Sequence, residues 1–196
     1  MSRVGRTLAV ALSGLEGHIV DVEVMAQPSG LPAFVLVGLP DAALGESRDR
    51  VRAALASAGL RFPPGRVTAN LSPAYLPKAG TGFDLGIAVA ALLATAQVPS
   101  KEAEGLVYLG ELSLDGHVRP VRGVLPAVAG AVAQGRPRVV VPAASLAEAQ
   151  LVKGAEALGV ETLEELVWLM GGDVPEPPAA RRAHPSGAGA AAAAPV

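Results

Sequence analysis

A chain of 196 residues, 51% apolar but only 3% aromatic, has material for one domain plus a tail, with a core built of Val, Leu, Ile and Ala. The net charge of −2 supplies no strong basic footprint for nucleic acid or an anionic membrane. The absence of Cys excludes disulfides, zinc fingers and thiol catalysis.

Thr7 to Ser13 reads as a strand, Gly14 and Gly17 bracket a turn, and Ile19 to Met25 alternates with period two. The two segments predict a hairpin. Ala33 to Val37 is a third strand. Pro40-Asp41 punctuates the start of a helix over Ala42 to Ala58, with Leu44, Val51 and Leu55 facing inward and Gly59 at its C-terminal end. Val67 to Leu71 is a fourth strand. Asp84 caps or begins the next helix, which runs to Ala96 and is apolar nearly all round, a pattern that predicts burial. Val107 to Leu114 and His117 to Val121 read as two strands joined at Asp115-Gly116. Gly123 to Gln134 is helical, Arg138 to Val141 is a short buried strand, and Ser145 with Glu148 forms a capping box for a helix through Val152. A last strand at Val160–Glu161 and a helix from Leu163 to Met170 complete the domain. Clustered strands followed by strand–helix alternation predict an α/β domain, in the broad α+β sense, with a mixed sheet and packed helices over residues 1–172. From 173 to 196 the chain is rich in Pro, Ala and Gly and ends in a run of five Ala from Ala190, which reads as a disordered tail or linker.

The stretch from Asn70 to Asp84, Asn-Leu-Ser-Pro-Ala-Tyr-Leu-Pro-Lys-Ala-Gly-Thr-Gly-Phe-Asp, is a loop between a strand and a helix, where folds place binding and chemistry. It nonetheless holds no nucleophile–base pair, no metal ligands and no phosphate cradle. No Gly-x-x-x-x-Gly-Lys-Ser/Thr occurs in the chain. His18, His117 and His184 lack partners at helical spacing, so no metal is expected. The N-terminus has no long apolar h-region and the apolar runs are too short to span a bilayer, so a cytoplasmic protein with no membrane partner is expected.

Three ordered blocks carry a resemblance. They are Leu36-Val37-Gly38-Leu39-Pro40-Asp41 running into Glu46-Ser47-Arg48-Asp49-Arg50-Val51-Arg52; Asn70-Leu71-Ser72-Pro73 with Leu76-Pro77-Lys78 and Phe83-Asp84-Leu85; and Leu109-Gly110-Glu111-Leu112 running through Asp115-Gly116 into Arg119-Pro120-Val121-Arg122-Gly123. Together they resemble the N-terminal domain of the ComM/YifB family of magnesium-chelatase-like AAA+ ATPases. The resemblance implies a Lon-protease-like fold, a hexameric motor acting on DNA in branch migration, recombination and natural transformation, and ATP and Mg bound in a following AAA+ domain of the same polypeptide. No cofactor is expected in this chain itself. The resemblance also locates the Ser–Lys dyad of Lon-type peptidases: Gly82 stands where the Ser would be and Leu125 where the Lys would be. Neither side chain can do that chemistry, so no catalytic residue is expected. The family reading makes this chain a non-catalytic domain for assembly or DNA guidance. A stand-alone interaction module and a Lon-type peptidase with a displaced dyad, using Thr81 and Lys78, are the alternatives.

The candidate contacts with DNA or a neighbouring subunit are Arg48 and Arg52, which share a helix face, Lys78 in the loop, and Arg119 and Arg122 at the hairpin exit. Arg61 and Arg66 extend the first pair into a basic rim, the alternative being a solvated, salt-bridged helix face. Arg119 and Arg122 either reach across to the Lys78 loop, making a positive pocket, or form an exposed rim.

Overall fold

A computed structural model describes residues 3–29, 31–38, 41–78 and 81–176. The expected tail from 177 onward and the inward packing of Leu44 lie outside the described residues and side chains. In chain order the elements are β1 (Arg3–Ser13), β2 (Glu16–Gln27), β3 (Ala33–Val37), α1 (Asp41–Ser57), β4 (Arg66–Ser72), α2 (Asp84–Ala94), α3 (Ser100–Ala103), β5 (Val107–Tyr108), β6 (Glu111–Leu112), β7 (Val118–Arg119), α4 (Val124–Ala133), β8 (Arg138–Pro142), α5 (Leu146–Ala149), β9 (Glu156–Val160) and α6 (Leu163–Leu169). Seven strands form one mixed sheet in the order β3-β4-β2-β1-β5-β8-β9, and β6 pairs with β7 as a separate ribbon.

The pairings fix strand direction. β2 is antiparallel to both β1 and β4, while β3, β5, β8 and β9 join through parallel pairings. Every strand of the large sheet except β2 therefore points the same way. The segments that follow β1, β3, β4, β5, β8 and β9 all leave at one edge, the carboxyl edge, where ligands bind in open α/β sheets. The three sequence blocks lie there.

Alternation along β2 sorts the two faces. Val20, Val22 and Val24 are fully buried beneath α2 and α1, with Val67, Ala69 and Leu71 of β4 beside them. Ile19 falls on the opposite face with Asp21 and Glu23, where it packs in the cluster around α4, including Val10, Val107 and Val128. The scarcity of aromatic residues is met by close approach of backbones. A Cβ added at Gly5 of β1 would lie 1.9 Å from the Ala90 carbonyl oxygen of α2, and one added at Gly130 of α4 would lie 2.5 Å from the Gly17 Cα of β2. Thr7 Oγ1 donates to the Gly86 carbonyl at 2.9 Å, tying α2 to β1 from within the core. α2 is buried almost all round, as its composition predicts.

Three expectations change. The strand expected over Val107–Leu114 is broken at Leu109-Gly110: Val107–Tyr108 belongs to the large sheet and Glu111–Leu112 to the ribbon. Gly110 sits against Val118, with 2.7 Å left for a Cβ, so the chain turns out of one sheet into the other at a residue without a side chain. The last strand lies earlier than expected, at Glu156–Val160, in register with β8. Ser145 makes no capping hydrogen bond, and Glu148 Oε1 instead accepts from the Leu125 N–H at 2.8 Å, linking α5 to the start of α4. A side-chain cap forms at Thr162, which accepts from the Glu165 N–H at 3.1 Å at the head of α6. No described helix is long and apolar enough to cross a membrane.

Candidate functional site

The three blocks converge on one carboxylate. Asp84, the first residue of α2, is 1% exposed. Its Oδ1 accepts from Ser47 Oγ at 2.6 Å and from Arg50 Nη2 at 3.3 Å; its Oδ2 accepts from Arg50 Nε at 2.6 Å and from the Leu112 N–H at 3.2 Å. Ser47 and Arg50 are one turn apart on α1, so both face the start of α2. Leu112 comes from β6. Asp84, expected to cap or begin α2, begins it and is also a tether joining α1, α2 and the ribbon; the cap position is Phe83, which makes no capping side-chain hydrogen bond. Burial pushes the Asp84 carboxyl up from its usual range. Four donor contacts oppose that cost, and the same bonds hold the Arg50 guanidinium above its ordinary value, with Glu111 and Glu46 adding attraction. We take the pair as ionised, because a guanidinium stays charged and the bidentate geometry needs the carboxylate.

Lys78 does not face solvent. It is 3% exposed, and its Nζ donates to the Pro73 carbonyl at 2.5 Å and the Leu76 carbonyl at 3.0 Å. Burial lowers its pKa from the ordinary lysine value. The ammonium closes its own loop around Pro73 to Leu76, because two inward-turned carbonyls in a Pro-rich loop need a donor. That geometry is opposite to the one expected for a contact with DNA or a partner.

Beside the tether, at the carboxyl edge, lies a cavity of about 440 Å³ bordered by Thr81, Gly82, Phe83, Glu111, Val121 and Arg122, among others. It is the space that the expected Ser would face. Among the described residues, a Cβ at Gly82 would meet nothing nearer than a Val121 methyl carbon at 3.8 Å, which leaves room there for a side chain. Its polar groups are one hydroxyl, one carboxylate and one guanidinium, with apolar walls from Val10, Leu12 and Leu109. Arg122 borders this cavity beside Thr81, and Lys78 is not among its lining residues. Arg119 borders a separate hollow with Arg50, Glu111 and Asp115.

The helix-face arginines also separate. Arg48 is half exposed and pairs with its neighbour Asp49 at 3.3 Å. Arg52 lies with its guanidinium 5.1 Å from the centre of the Phe62 ring. That places it toward the opposite, amino edge of the sheet, with Arg61. The five candidate cations therefore do not form one surface. The residue that sequence reading passed over is Arg50: Arg48 and Arg52 stand out by sharing a face, whereas Arg50 acquires its role only from a partner 34 residues away.

A mixed α/β domain whose carboxyl edge is organised by a buried Arg–Asp tether, beside a cavity with Gly82 in its wall, defines the class. The family described as subunit ChlI of Mg-chelatase matches residues 22–145. An uncharacterised protein of Mycobacterium tuberculosis is 54% identical over 169 residues, covering 86% of this chain and 33% of that protein. The competence protein ComM of Haemophilus influenzae is 37% identical over 162 residues, covering 83% of this chain and 31% of ComM. The DNA repair protein RadA of Bacillus subtilis is 27% identical over 169 residues, covering 82% and 34%. The chain belongs to the magnesium-chelatase-like ComM/YifB family. It spans about one third of the length of the curated relatives it matches.

Proposed function

We propose that this chain is the non-proteolytic, Lon-like N-terminal domain of a ComM-type AAA+ ATPase, and that it serves as a rigid platform for motor assembly and for guiding DNA during recombination and natural transformation. ATP and Mg belong, in this reading, to a nucleotide domain of the same polypeptide, and the working assembly is a hexamer in the cytoplasm. The observation that carries the reading is the use made of the three blocks. They meet in a tether that fixes α1, α2 and the β6–β7 ribbon relative to one another, while the cavity beside it presents Gly82 where an attacking side chain would stand. Residues spent on rigidity, beside a site emptied of its nucleophile, suit a binding scaffold. The competence and DNA-repair descriptions of ComM and RadA support DNA as the ligand.

The test is a mobility-shift titration of the 196-residue chain with labelled single-stranded DNA and with a four-way junction at low salt. Salt-sensitive retention of either substrate is expected. Failure to retain both would remove DNA guidance and leave an interaction module.

A further inference from the structure

We propose that the amino edge of the sheet, remote from the Gly82 cavity, is a groove for single-stranded nucleic acid in which Arg3 and Arg61 hold phosphate oxygens. The proposal rests on the DNA-guiding reading above and gives it a location. A cavity of about 580 Å³ opens there between the start of β1, the end of β2 and the end of α2. Sites that take small organic groups have this size. Its walls are apolar, with Ala26, Pro28, Phe62, Pro64 and Ala94, and its lip carries Arg3 and Arg61.

Charge singles this groove out. The hollows bordered by Arg119 and by Arg122 both include Glu111. The amino-edge groove has no carboxylate in its described lining, Asp173 lying in the adjoining hollow that Arg3 also borders, and neither Arg3 nor Arg61 makes an ion pair among the described residues. Arg52 adds a third guanidinium above Phe62, and Arg66 opens β4 at the same edge. A chain of net charge −2 thus keeps a local cationic patch that its total conceals.

The groove is also pre-formed. Gln97 Oε1 accepts from the Arg61 N–H at 2.9 Å, while its Nε2 donates to the Arg61 carbonyl at 2.7 Å and to Thr95 Oγ1 at 2.8 Å. One side chain therefore clamps the Arg61 main chain to the end of α2. Phe62 is held between Arg52 and the Phe34 ring, whose centre lies 4.9 Å away. Little ordering is left for a ligand to impose. Guanidinium groups grip phosphate through paired N–H donors. Apolar walls add affinity only for a strand whose base faces are free, which a duplex hides. That favours single-stranded over double-stranded nucleic acid.

The test uses the 196-residue chain and a fluorescein-labelled oligothymidylate, followed by anisotropy across a salt series. We expect Arg3→Glu/Arg61→Glu to weaken binding by roughly tenfold or more and to flatten the log–log salt slope by about 0.7 for each lost phosphate contact. Arg3→Ala/Arg61→Ala should weaken it in the same direction, which separates loss of a contact from added repulsion. Arg136→Glu/Lys153→Glu, an equal charge change at exposed cations outside the groove, should leave affinity unchanged. All three variants are at exposed positions, and an unchanged melting temperature confirms folding. Oligothymidylate binding that survives both Arg3/Arg61 variants overturns this location and leaves the DNA reading standing. No binding by the wild-type chain overturns both. Displacement of the oligonucleotide by polyglutamate at equal charge overturns nucleic acid as the occupant.

Discussion

Arg50 Nε donates to Asp84 Oδ2 over 2.6 Å, and the two residues belong to helices whose starts are separated by the whole of β4 and its loop. Removing one partner of such a buried pair leaves the other charge without compensation. Asp84→Ala and Arg50→Ala should each cost about 3–5 kcal/mol in urea unfolding. The double variant should cost less than the sum, because each single change already breaks the same bonds. Additive costs would show that the tether is not a unit.

Close backbone packing on the α2 face gives a paired prediction. Gly5→Ala drives a methyl group into the Ala90 carbonyl, which belongs to the helix backbone and cannot swing aside. Thermal unfolding should show a loss of about 1–3 kcal/mol or more. Gly45→Ala, in the interior of α1 with nothing within 4 Å of the new Cβ, should instead stabilise by about 0.5–1 kcal/mol. Losses in both variants would mean that α1 does not tolerate the added methyl either.

The ribbon turn titrates in acid. Asp115 is held down to about 2 from its usual value by the Ser113 hydroxyl first, then by the backbone N–H and ring of His117. A folded-state value below the unfolded one means that the folded chain binds fewer protons. The contribution is present above the ordinary carboxylate value and is lost as pH falls from about 4 toward 2. Melting temperature against pH should therefore fall less steeply in that window for Asp115→Asn than for the wild type. Parallel curves would contradict the assignment.

Lys78 offers a test of burial against surface charge. Lys78→Met removes the donor to the Pro73 and Leu76 carbonyls and should destabilise by about 1–3 kcal/mol. The salt dependence of DNA retention should be unchanged, because the ammonium is not presented to solvent. A flatter salt slope at full stability would restore Lys78 as a contact.

The contrast between Lys78 and α2 shows what the sequence made legible. The β1–β2 hairpin, β3, α1 and the burial of α2 follow from local periodicity, because a face that repeats every two or 3.6 residues must meet a core. Asp84 is locally indistinguishable from a helix cap. Its role as a tether depends on Ser47, Arg50 and Leu112, which only the tertiary fold brings near. Lys78 misleads for the same reason: lysine is usually solvated, and nothing nearby in sequence announces two carbonyls turned inward. The split of β5 from β6 at Gly110 hides in a strand-like run, Val107 to Leu114, whose composition does not mark the change of sheet. The amino-edge patch joins Arg3 to Arg61, which was read as part of a rim with Arg48 and Arg66, whereas Arg48 is paired with Asp49.

Peptide hydrolysis is the activity that the Gly82 cavity is expected not to support. Serine-type attack needs a hydroxyl whose proton has somewhere to go. The cavity presents the Thr81 hydroxyl, the Glu111 carboxylate and the Arg122 guanidinium; the one lysine of the loop is turned away into the Pro73 and Leu76 carbonyls. Leu125, at the position expected for the general base, has an aliphatic side chain, and its backbone N–H is already committed to Glu148. The chain should release no peptide from fluorescein-casein above a buffer control, and Thr81→Ala should be indistinguishable from the wild type. Gly82→Ser should fold normally, since its Cβ has space, and should remain inactive because no lysine amine accompanies it. Turnover by the wild type that disappears in Thr81→Ala would establish a displaced nucleophile and overturn the platform reading. Turnover by Gly82→Ser alone would show that a base is already in place.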